Sequence, residues 1–259
     1  MGRNTRSTFG HAGDRHEHRD RGRRGRPSPV DGPECDQDDF LALVSHELRH
    51  AAGVVYGFLD LVVTRGDQLD EERRSHALAR AHANARRMNR LLEDVDLALR
   101  LGAGRFSFDL RPLDLGEVVE HTSTQIAELA ERDIDVHRPS SLPPALADHD
   151  RQVQIVTNLL SNALAYSPDG SSVRVTLSTQ PAEVTVDVHN DGAPVSGERL
   201  AGLFEPFVRL EDAHPGAREG LGLGMYIAKL LVEGQGGTIW ADSGEAGWTL
   251  TYTVPRADR

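Results

Sequence analysis

Cysteine and long apolar runs are nearly absent from this 259-residue sequence. The single cysteine, Cys35, excludes an intramolecular disulfide bond and fits a reducing compartment. No uninterrupted apolar run approaches the roughly 18 residues that span a bilayer, and the arginine-rich start lacks the apolar core of a secretion signal. The formal net charge of −11 disfavours nonspecific binding to nucleic acid. We therefore expect a soluble, cytoplasmic chain with no membrane segment and no nucleic-acid partner.

The first 35 residues lack a periodic apolar pattern. They hold eight arginines against five acidic residues, and Gly, His, Asp and Pro make up much of the rest. Such a composition is typical of a disordered segment. The three histidines there, His11, His16 and His18, could bind a metal loosely, but a solvated tail is the favoured interpretation. We predict a disordered tail over residues 1–35 that is too short and too polar to form a sensor domain.

Two long amphipathic segments follow this tail. Their apolar residues recur at alternating spacings of three and four, which is a heptad pattern. The stripe of the first segment is Leu41, Val44, Leu48, Ala51, Val55, Phe58 and Val62, and that of the second is Leu78, Ala81, Ala85, Met88, Leu92, Val95 and Leu99. A short turn lies between them, with Asp67 or Asp70 available as a helix cap. The pattern predicts an antiparallel helical hairpin over residues 36–101. With one apolar seam and little core of its own, it should pair with a second copy as a four-helix bundle, which makes the protein a homodimer.

His46 lies out of phase with the apolar stripe of the first segment, so we expect its side chain to be exposed. Glu47 follows directly, which places a carboxylate base beside a possible nucleophile. A plain surface histidine is the competing interpretation. His46, Glu47 and His50 also match the H-E-x-x-H pattern of zinc proteases. The third histidine of the extended motif would fall at Tyr56, and the hairpin offers no sheet to support a zinc cleft, so a zinc hydrolase is a minor alternative.

Four polar or glycine-rich clusters occur in order in the C-terminal part of the chain. They are Asn158 with Asn162, Asn190 with Gly192, Phe204 with Phe207, and the glycines Gly220, Gly222 and Gly224. Two amides four residues apart share one helix face, where they can reach a metal ion and phosphates together. Glycines that open a helix can present backbone N–H groups and the positive end of the helix dipole to an anion. Taken singly, each cluster could be solvent-facing or core structure, but their order favours a nucleotide site.

The pattern after residue 101 predicts a linker over residues 102–113 and an α+β domain over residues 114–259. Asp114 and Glu117 form a capping box that opens a helix through about Glu131. Short β-rich runs follow at residues 134–136, 173–177, 184–188, 238–241 and 249–254, with helical stretches at about 151–165, 197–203 and 223–233. This mixture predicts an α/β sandwich with helices against one face of a mixed sheet.

Residues 36 to 255 resemble the sensor histidine kinases of two-component systems, whose ATP-binding domain belongs to a superfamily with Hsp90-type and MutL-type ATPases. The resemblance rests on the segment DFLALVSHELRHAAGVVYGFLDLV at residues 39–62 and on the four ordered clusters. It implies a protein kinase that uses ATP and Mg²⁺, phosphorylates itself on His46 with help from Glu47, and passes the phosphoryl group to an aspartate in the receiver domain of a response regulator. A catalytically weak ATP-binding scaffold that pairs with another kinase is the alternative.

The resemblance also implies a role for each candidate in the ATP-binding domain. Asn162 would ligate Mg²⁺, with Asn158 near the phosphates and Tyr166 against the adenine. Asn190 would accept a hydrogen bond from the adenine amino group, and Gly192 would keep the turn after it. In the remaining clusters, Phe204 and Phe207 would anchor a mobile lid at Gly216 to Gly220, Arg209 follows the aromatic pair, and Gly220, Gly222 and Gly224 would let the backbone approach phosphate.

Several positions depart from the family pattern. His50 stands where a Thr or Asn usually orients water for removing phosphate from the partner, so we expect weak phosphatase activity. Ala51 replaces the proline that usually follows and so removes a helix kink. Asn190 replaces an Asp, and a neutral amide accepts the adenine hydrogen bond without charge assistance. Ala165 stands where a basic residue often meets phosphate, and Pro194 replaces a second glycine.

Overall fold

The computed structural model of the chain describes residues 37–208 and 222–258. The predicted tail, Arg209, Gly220 and the predicted lid lie outside these residues. The helices are α1 Gln37–Arg65, α2 Glu71–Gly102, α3 Leu115–Ala130, α4 His149–Tyr166, α5 Gly197–Ala201 and α6 Gly224–Gly234. The strands are β1 Arg111–Leu113, β2 Ile134–His137, β3 Ala145–Ala147, β4 Val173–Thr179, β5 Glu183–Asn190, β6 Ile239–Gly244 and β7 Gly247–Pro255.

The first two helices form the predicted hairpin. α1 and α2 pack along each other and are joined by a short 3-10 turn at Gly66–Gln68. Asp70 caps α2, because its carboxylate accepts a hydrogen bond from the Arg73 backbone N–H at 2.8 Å. Val44 and Ala51 of α1 are buried, as the heptad stripe predicts.

On α2 the buried edge differs in part from the predicted stripe. Ala81 and Val95 are buried as expected, but Leu78, Leu92 and Leu99 are 45%, 50% and 41% exposed. The residues one position earlier, Ala77, Leu91 and Ala98, are buried in their place. α2 therefore carries two adjacent apolar edges, and packing against α1 uses only one of them. The other edge, which contains Leu78, Leu92 and Leu99, is left uncovered in the single chain.

A mixed sheet and three helices form the second part of the fold. The sheet has the strand order β2-β4-β5-β7-β6, with β2 parallel to β4 and every other neighbour antiparallel. Alternate residues of the central strands, among them Val175, Val186 and Leu250, are fully buried in the core that α3, α4 and α6 complete. Asp114 caps α3 by accepting from the Glu117 backbone N–H at 3.0 Å. The prediction of a helical hairpin followed by an α/β sandwich is confirmed.

Residues 102–113, predicted to be a linker, contain a strand. β1 pairs antiparallel with β3 in a small separate sheet, with Arg111 opposite Ala147. Each of these strands has only three residues, too few for an alternating pattern to be recognised in the sequence. Neither strand was predicted.

Two aromatic residues before β1 connect the hairpin to the sandwich. The Phe106 and Phe108 rings meet edge to face, with centroids 4.9 Å apart. The guanidinium groups of Arg100 in α2 and Arg151 in α4 lie 5.5 and 5.2 Å from the Phe106 ring centroid. The Phe108 ring also packs so closely on Gly234 that a side chain at Gly234 would lie 2.6 Å from it. The segment after α2 is thus packed against both parts of the fold.

The described helices include none with the combination of length and apolar character that would let it cross a membrane.

Candidate functional site

His46 lies on the outer face of α1, as its phase predicted. Its side chain is 71% exposed, and its Nδ1 atom lies 3.6 Å from Oε1 of Glu47. Two residues earlier, Val44 is buried, and two residues later Leu48 packs against the core. The helix therefore presents the imidazole to solvent with a carboxylate beside one ring nitrogen.

Arg87 on α2 contacts the same carboxylate from across the hairpin. Its Nη2 atom lies 3.5 Å from Oε2 of Glu47, and its side chain is only 18% exposed. The Arg87 Nε atom is buried and has no hydrogen-bond partner. Glu47 therefore has one oxygen near the imidazole of His46 and the other near a guanidinium. Sequence reasoning did not find Arg87, because only the register between α1 and α2 brings it to Glu47.

His50 follows His46 by one helical turn and is also exposed. Ala51, where the family pattern has proline, is buried on the inner face of α1. The helix continues without interruption from Gln37 to Arg65, as expected when no proline removes a backbone hydrogen bond. Weak phosphatase activity at His50 remains a prediction.

The zinc hydrolase alternative finds no support in the geometry of this face. Among residues 37–208 and 222–258, the structure contains no group of three or more histidine, cysteine, aspartate or glutamate side chains arranged to hold a metal ion. Glu47 is engaged by Arg87 and lies on an exposed helix rather than in a cleft.

Asn158 and Asn162 lie on α4, whose apolar face holds them at the edge of the core. Leu159, Leu160 and Ala163 are fully buried. The Asn158 Nδ2 atom donates a hydrogen bond to the Gly224 carbonyl oxygen at 3.0 Å, which ties α4 to the start of α6. The Asn162 Oδ1 atom is buried and has no hydrogen-bond partner within residues 37–208 and 222–258. A buried acceptor without a donor is costly, so this oxygen is suited to a ligand that supplies positive charge.

Tyr166, Asn190 and Gly192 come together at the C-terminal end of α4, one helical turn beyond Asn162. A Cβ atom at Gly192 would lie 2.6 Å from the Tyr166 carbonyl oxygen and from Nδ2 of Asn190, and 2.8 Å from Nε1 of Trp248. No side chain fits at this position without a shift of the backbone. Asn190 is buried, and its Nδ2 atom has no hydrogen-bond partner. Trp248, which sequence reasoning missed, packs edge to face on Tyr166 with ring centroids 5.6 Å apart.

Phe207 and Gly222 connect the segment that ends at residue 208 with the segment that begins at residue 222. The Phe207 N–H donates to the Gly222 carbonyl oxygen at 3.1 Å. Phe207 has the left-handed φ of 65°, and Gly222 has a φ of 72°. A Cβ atom on Gly222 would lie 2.7 Å from the Val208 carbonyl oxygen, so glycine is required there. Phe204 is buried, and its role as an anchor of the lid remains a prediction.

Gly224 opens α6, but sterics alone do not require glycine at this position. A Cβ atom there would lie 3.7 Å from Cγ of Asn158, an ordinary van der Waals distance. Further along α6, the Lys229 Nζ atom lies 3.5 Å from Oε1 of Glu205. This ion pair links α6 to the segment that contains Phe204 and Phe207.

Two family models match the chain, each to one part of the fold. The His Kinase A (phospho-acceptor) domain matches residues 36–104, and the histidine kinase-, DNA gyrase B-, and HSP90-like ATPase matches residues 147–258. The first covers the hairpin with His46, and the second covers the helix and sheet residues that surround Asn162 and Gly192.

Individual relatives and solved structures point to the same family. The chain is 33% identical over 213 residues to the probable sensor histidine kinase TcrY of Mycobacterium tuberculosis. The aligned region covers 79% of this chain and 42% of TcrY. The chain thus spans less than half the length of this curated relative. A crystal structure of full-length ShkA in complex with AMPPNP matches with a TM-score of 0.62 and 26% identity, over 85% of this chain and 46% of that one.

A third likeness concerns the fold alone. The histidine kinase AdeS of Acinetobacter baumannii matches with a TM-score of 0.65 at 19% identity, over 82% of this chain and 98% of that one. With its phospho-acceptor hairpin followed by an ATPase sandwich, this chain belongs to the sensor histidine kinases of two-component systems.

Proposed function

We propose that this chain is an ATP-dependent protein histidine kinase that phosphorylates itself on His46 and passes the phosphoryl group to a response regulator. The observation that carries the proposal is the exposed imidazole of His46 with the Glu47 carboxylate 3.6 Å from Nδ1, in a chain that also contains an ATPase domain. The proposed boundaries are residues 36–101 for the hairpin, 102–113 for the connection and 114–259 for the ATP-binding domain.

In the proposed reaction Glu47 prepares His46 as a nucleophile. Neutral imidazole has one N–H and one lone pair. When Nδ1 carries the proton, a small rotation of Glu47 lets its carboxylate accept that hydrogen bond, which leaves the Nε2 lone pair free. Nε2 then bonds to the γ-phosphorus of ATP while the bond between that phosphorus and the β,γ-bridging oxygen breaks. The electron pair leaves with ADP, and Glu47 takes up the Nδ1 proton or stabilises it on the ring.

Arg87 has a positioning role in this step. Its guanidinium lies 3.5 Å from the Glu47 oxygen that is turned away from the imidazole. This contact limits the rotation of the carboxylate and keeps Oε1 near Nδ1.

The residues of α4 fit a magnesium ion and the phosphates of ATP. An amide oxygen is a suitable ligand for Mg²⁺, and the buried Asn162 Oδ1 atom has no hydrogen-bond partner among the residues that the structure describes. Asn162 would therefore hold the ion, which when bound neutralises phosphate charge. Asn158 and Gly224, joined by a hydrogen bond, would line the phosphate side.

The adenine would lie one helical turn beyond Asn162, beside Tyr166, Asn190 and Gly192. Because Gly192 has no side chain, the turn after β5 packs directly against the Tyr166 carbonyl oxygen and the Asn190 amide, which keeps these two residues together beside the proposed base position. The buried amide of Asn190 supplies one hydrogen-bonding group for the base, although without the charge that an aspartate would have.

A homodimer would cover the apolar edge that one hairpin leaves exposed. Leu78, Leu92 and Leu99 lie at spacings of fourteen and seven residues along one edge of α2, and Leu41 and Leu59 of α1 are also partly exposed. Two such hairpins can bury these leucines in a four-helix bundle. The response regulator, as second partner, would reach His46 from solvent. A cytoplasmic location stays a prediction.

The test is to incubate the full chain with γ-labelled ATP and Mg²⁺ and then add a receiver domain. We expect label on the chain that is lost in acid and kept in alkali, as for a phosphorus–nitrogen bond, followed by transfer to the receiver domain. Label that resists acid would exclude phosphohistidine and contradict the proposal.

A further inference from the structure

We propose that His46 and His50 together form a binding site for a divalent transition-metal ion such as Zn²⁺, and that the bound ion blocks phosphorylation of His46. The metal site rests on the geometry of the hairpin formed by α1 and α2. The block of phosphorylation also rests on the proposed kinase function.

The two imidazoles are placed to chelate one ion. They lie four residues apart on a continuous helix, where side chains have Cβ atoms about 5–6 Å apart on the same face. Both side chains are exposed. Two histidines at this spacing hold zinc from one helix face in the H-E-x-x-H motif, which this chain contains at residues 46–50.

Glu47 orients His46 as a metal ligand but does not itself bind the metal. Its Oε1 atom lies near Nδ1 of His46, so the nitrogen available to a metal is Nε2. Ligating histidines commonly direct their second ring nitrogen to a carboxylate, which fixes the ring and raises its basicity. Arg87 holds the other oxygen of Glu47 towards α2. The Glu47 carboxylate therefore stays beside Nδ1 of His46 and does not bind the metal itself.

Two protein ligands make this a reversible site rather than a structural one. No third ligand stands nearby in the described part of the chain, so water would fill the remaining positions. Imidazole prefers Zn²⁺, Ni²⁺ or Cu²⁺ to Mg²⁺, which favours oxygen ligands. The Mg²⁺ that accompanies ATP would therefore not occupy the pair.

Metal binding and phosphorylation compete for one lone pair. Nε2 of His46 cannot coordinate an ion and attack phosphorus at the same time. His50 is essential to this inhibition because a single exposed imidazole lacks the gain of a second linked ligand. At the position of His50 the family pattern has Thr or Asn, whose side chains do not supply an imidazole. This regulation would therefore be particular to chains with histidine there.

The experiment compares zinc binding and zinc inhibition in the full chain and three variants. The variants are His46→Gln, His50→Thr and, as the matched control, His76→Thr, which removes an exposed histidine on α2. Isothermal titration with Zn²⁺ measures binding, and initial autophosphorylation rates at buffered free Zn²⁺ measure inhibition. The rates of the wild type, His50→Thr and His76→Thr are each normalised to that protein's own rate without zinc, and His46→Gln is used only in the titrations.

We expect the tightest zinc-binding event of the wild type, as distinct from any loose binding by His11, His16 and His18, to weaken at least about tenfold in both His46→Gln and His50→Thr and to be kept in His76→Thr. The zinc concentration for half inhibition should rise by a similar factor in His50→Thr. Equal zinc affinity of His50→Thr and wild type would overturn the metal site. Weakened binding with unchanged zinc inhibition would overturn the block of phosphorylation. A wild type that takes up no phosphoryl group would refute the kinase function, while the titrations still decide the metal site.

Discussion

Replacing Arg87 by methionine should slow autophosphorylation by removing the group that orients Glu47. At a separation of 3.5 Å, two unit charges attract by about 5 kcal/mol at an effective dielectric constant of about 20. Desolvation and ordering offset most of this attraction, and a partly exposed pair retains about 1 kcal/mol. If that free energy holds the carboxylate in place during transfer, its loss slows the reaction about fivefold.

The assay is the initial rate of acid-labile labelling across a range of ATP concentrations. We expect the rate at saturating ATP to fall about fivefold and the KM for ATP to stay unchanged, because Arg87 lies on the hairpin and not among the nucleotide residues. Arg87→Lys, which keeps the charge but not the planar guanidinium, should restore part of the rate. Arg86→Met, which changes an exposed neighbour on the same helix, serves as the control. An Arg87→Met rate equal to or above wild type would refute the positioning role.

Three further substitutions test other parts of the account. Asn162→Ala should abolish the Mg²⁺-dependent part of nucleotide binding, measured by titration with and without Mg²⁺, because it removes the unpartnered amide oxygen. Gly192→Ala should weaken ATP binding about tenfold, because its Cβ would lie 2.6 Å from the Tyr166 carbonyl oxygen and overpacking of this kind costs about 1–3 kcal/mol. Asp94→Asn should raise the free energy of unfolding at pH 8, measured by urea denaturation.

The direction of the stability change expected for Asp94→Asn follows from the pKa of Asp94. Burial, reinforced by the charge of Glu93, raises the pKa of Asp94 from 3.8 to about 6. Between these values the folded state binds more protons than the unfolded state, so stability falls as the pH rises through this window. A shift of about two pKa units corresponds to about 3 kcal/mol, which partial exposure to solvent reduces to about 1–2 kcal/mol. Asp94→Asn should recover this free energy above pH 6 and have little effect below pH 4.

Each of these three variants has a matched control variant at a nearby position. Ser161→Ala changes an exposed residue beside Asn162, and Gly197→Ala adds a Cβ where no atom lies within 4 Å. Asp96→Asn removes an exposed carboxylate paired with Arg100 and should not stabilise the protein. Equal effects in a variant and its control would show that the named contact is not the cause. A stability gain from Asp94→Asn that persists below pH 4 would contradict the titration argument.

Periodicity predicted which elements form but not which edge of a helix is buried. The heptad stripe indicated the hairpin and the exposure of His46, because both depend only on the phase of residues along one helix. On α2, alanine and leucine occupy adjacent positions, as at Ala77 and Leu78, and both are apolar. The sequence pattern cannot decide between them, and packing against α1 selects the smaller residue at this turn.

Contacts between distant elements were beyond the reach of local patterns. Arg87 meets Glu47, and Trp248 meets Tyr166, only because of how helices and strands pack in three dimensions. Ordered motifs identified Asn162, Gly192 and Gly224 as candidates, and their roles stay predictions. The structure adds that the Asn162 amide oxygen is buried without a partner among the described residues and that Gly192 has no room for a side chain, whereas Gly224 has such room.

The most direct test of the central claim is to locate the phosphoryl group after reaction with ATP. Fragmentation mass spectrometry at neutral pH should place it on His46, and His46→Gln should lose all acid-labile label while binding ATP as tightly as wild type. A phosphoryl group on another residue, or full acid-labile labelling of His46→Gln, would contradict the account.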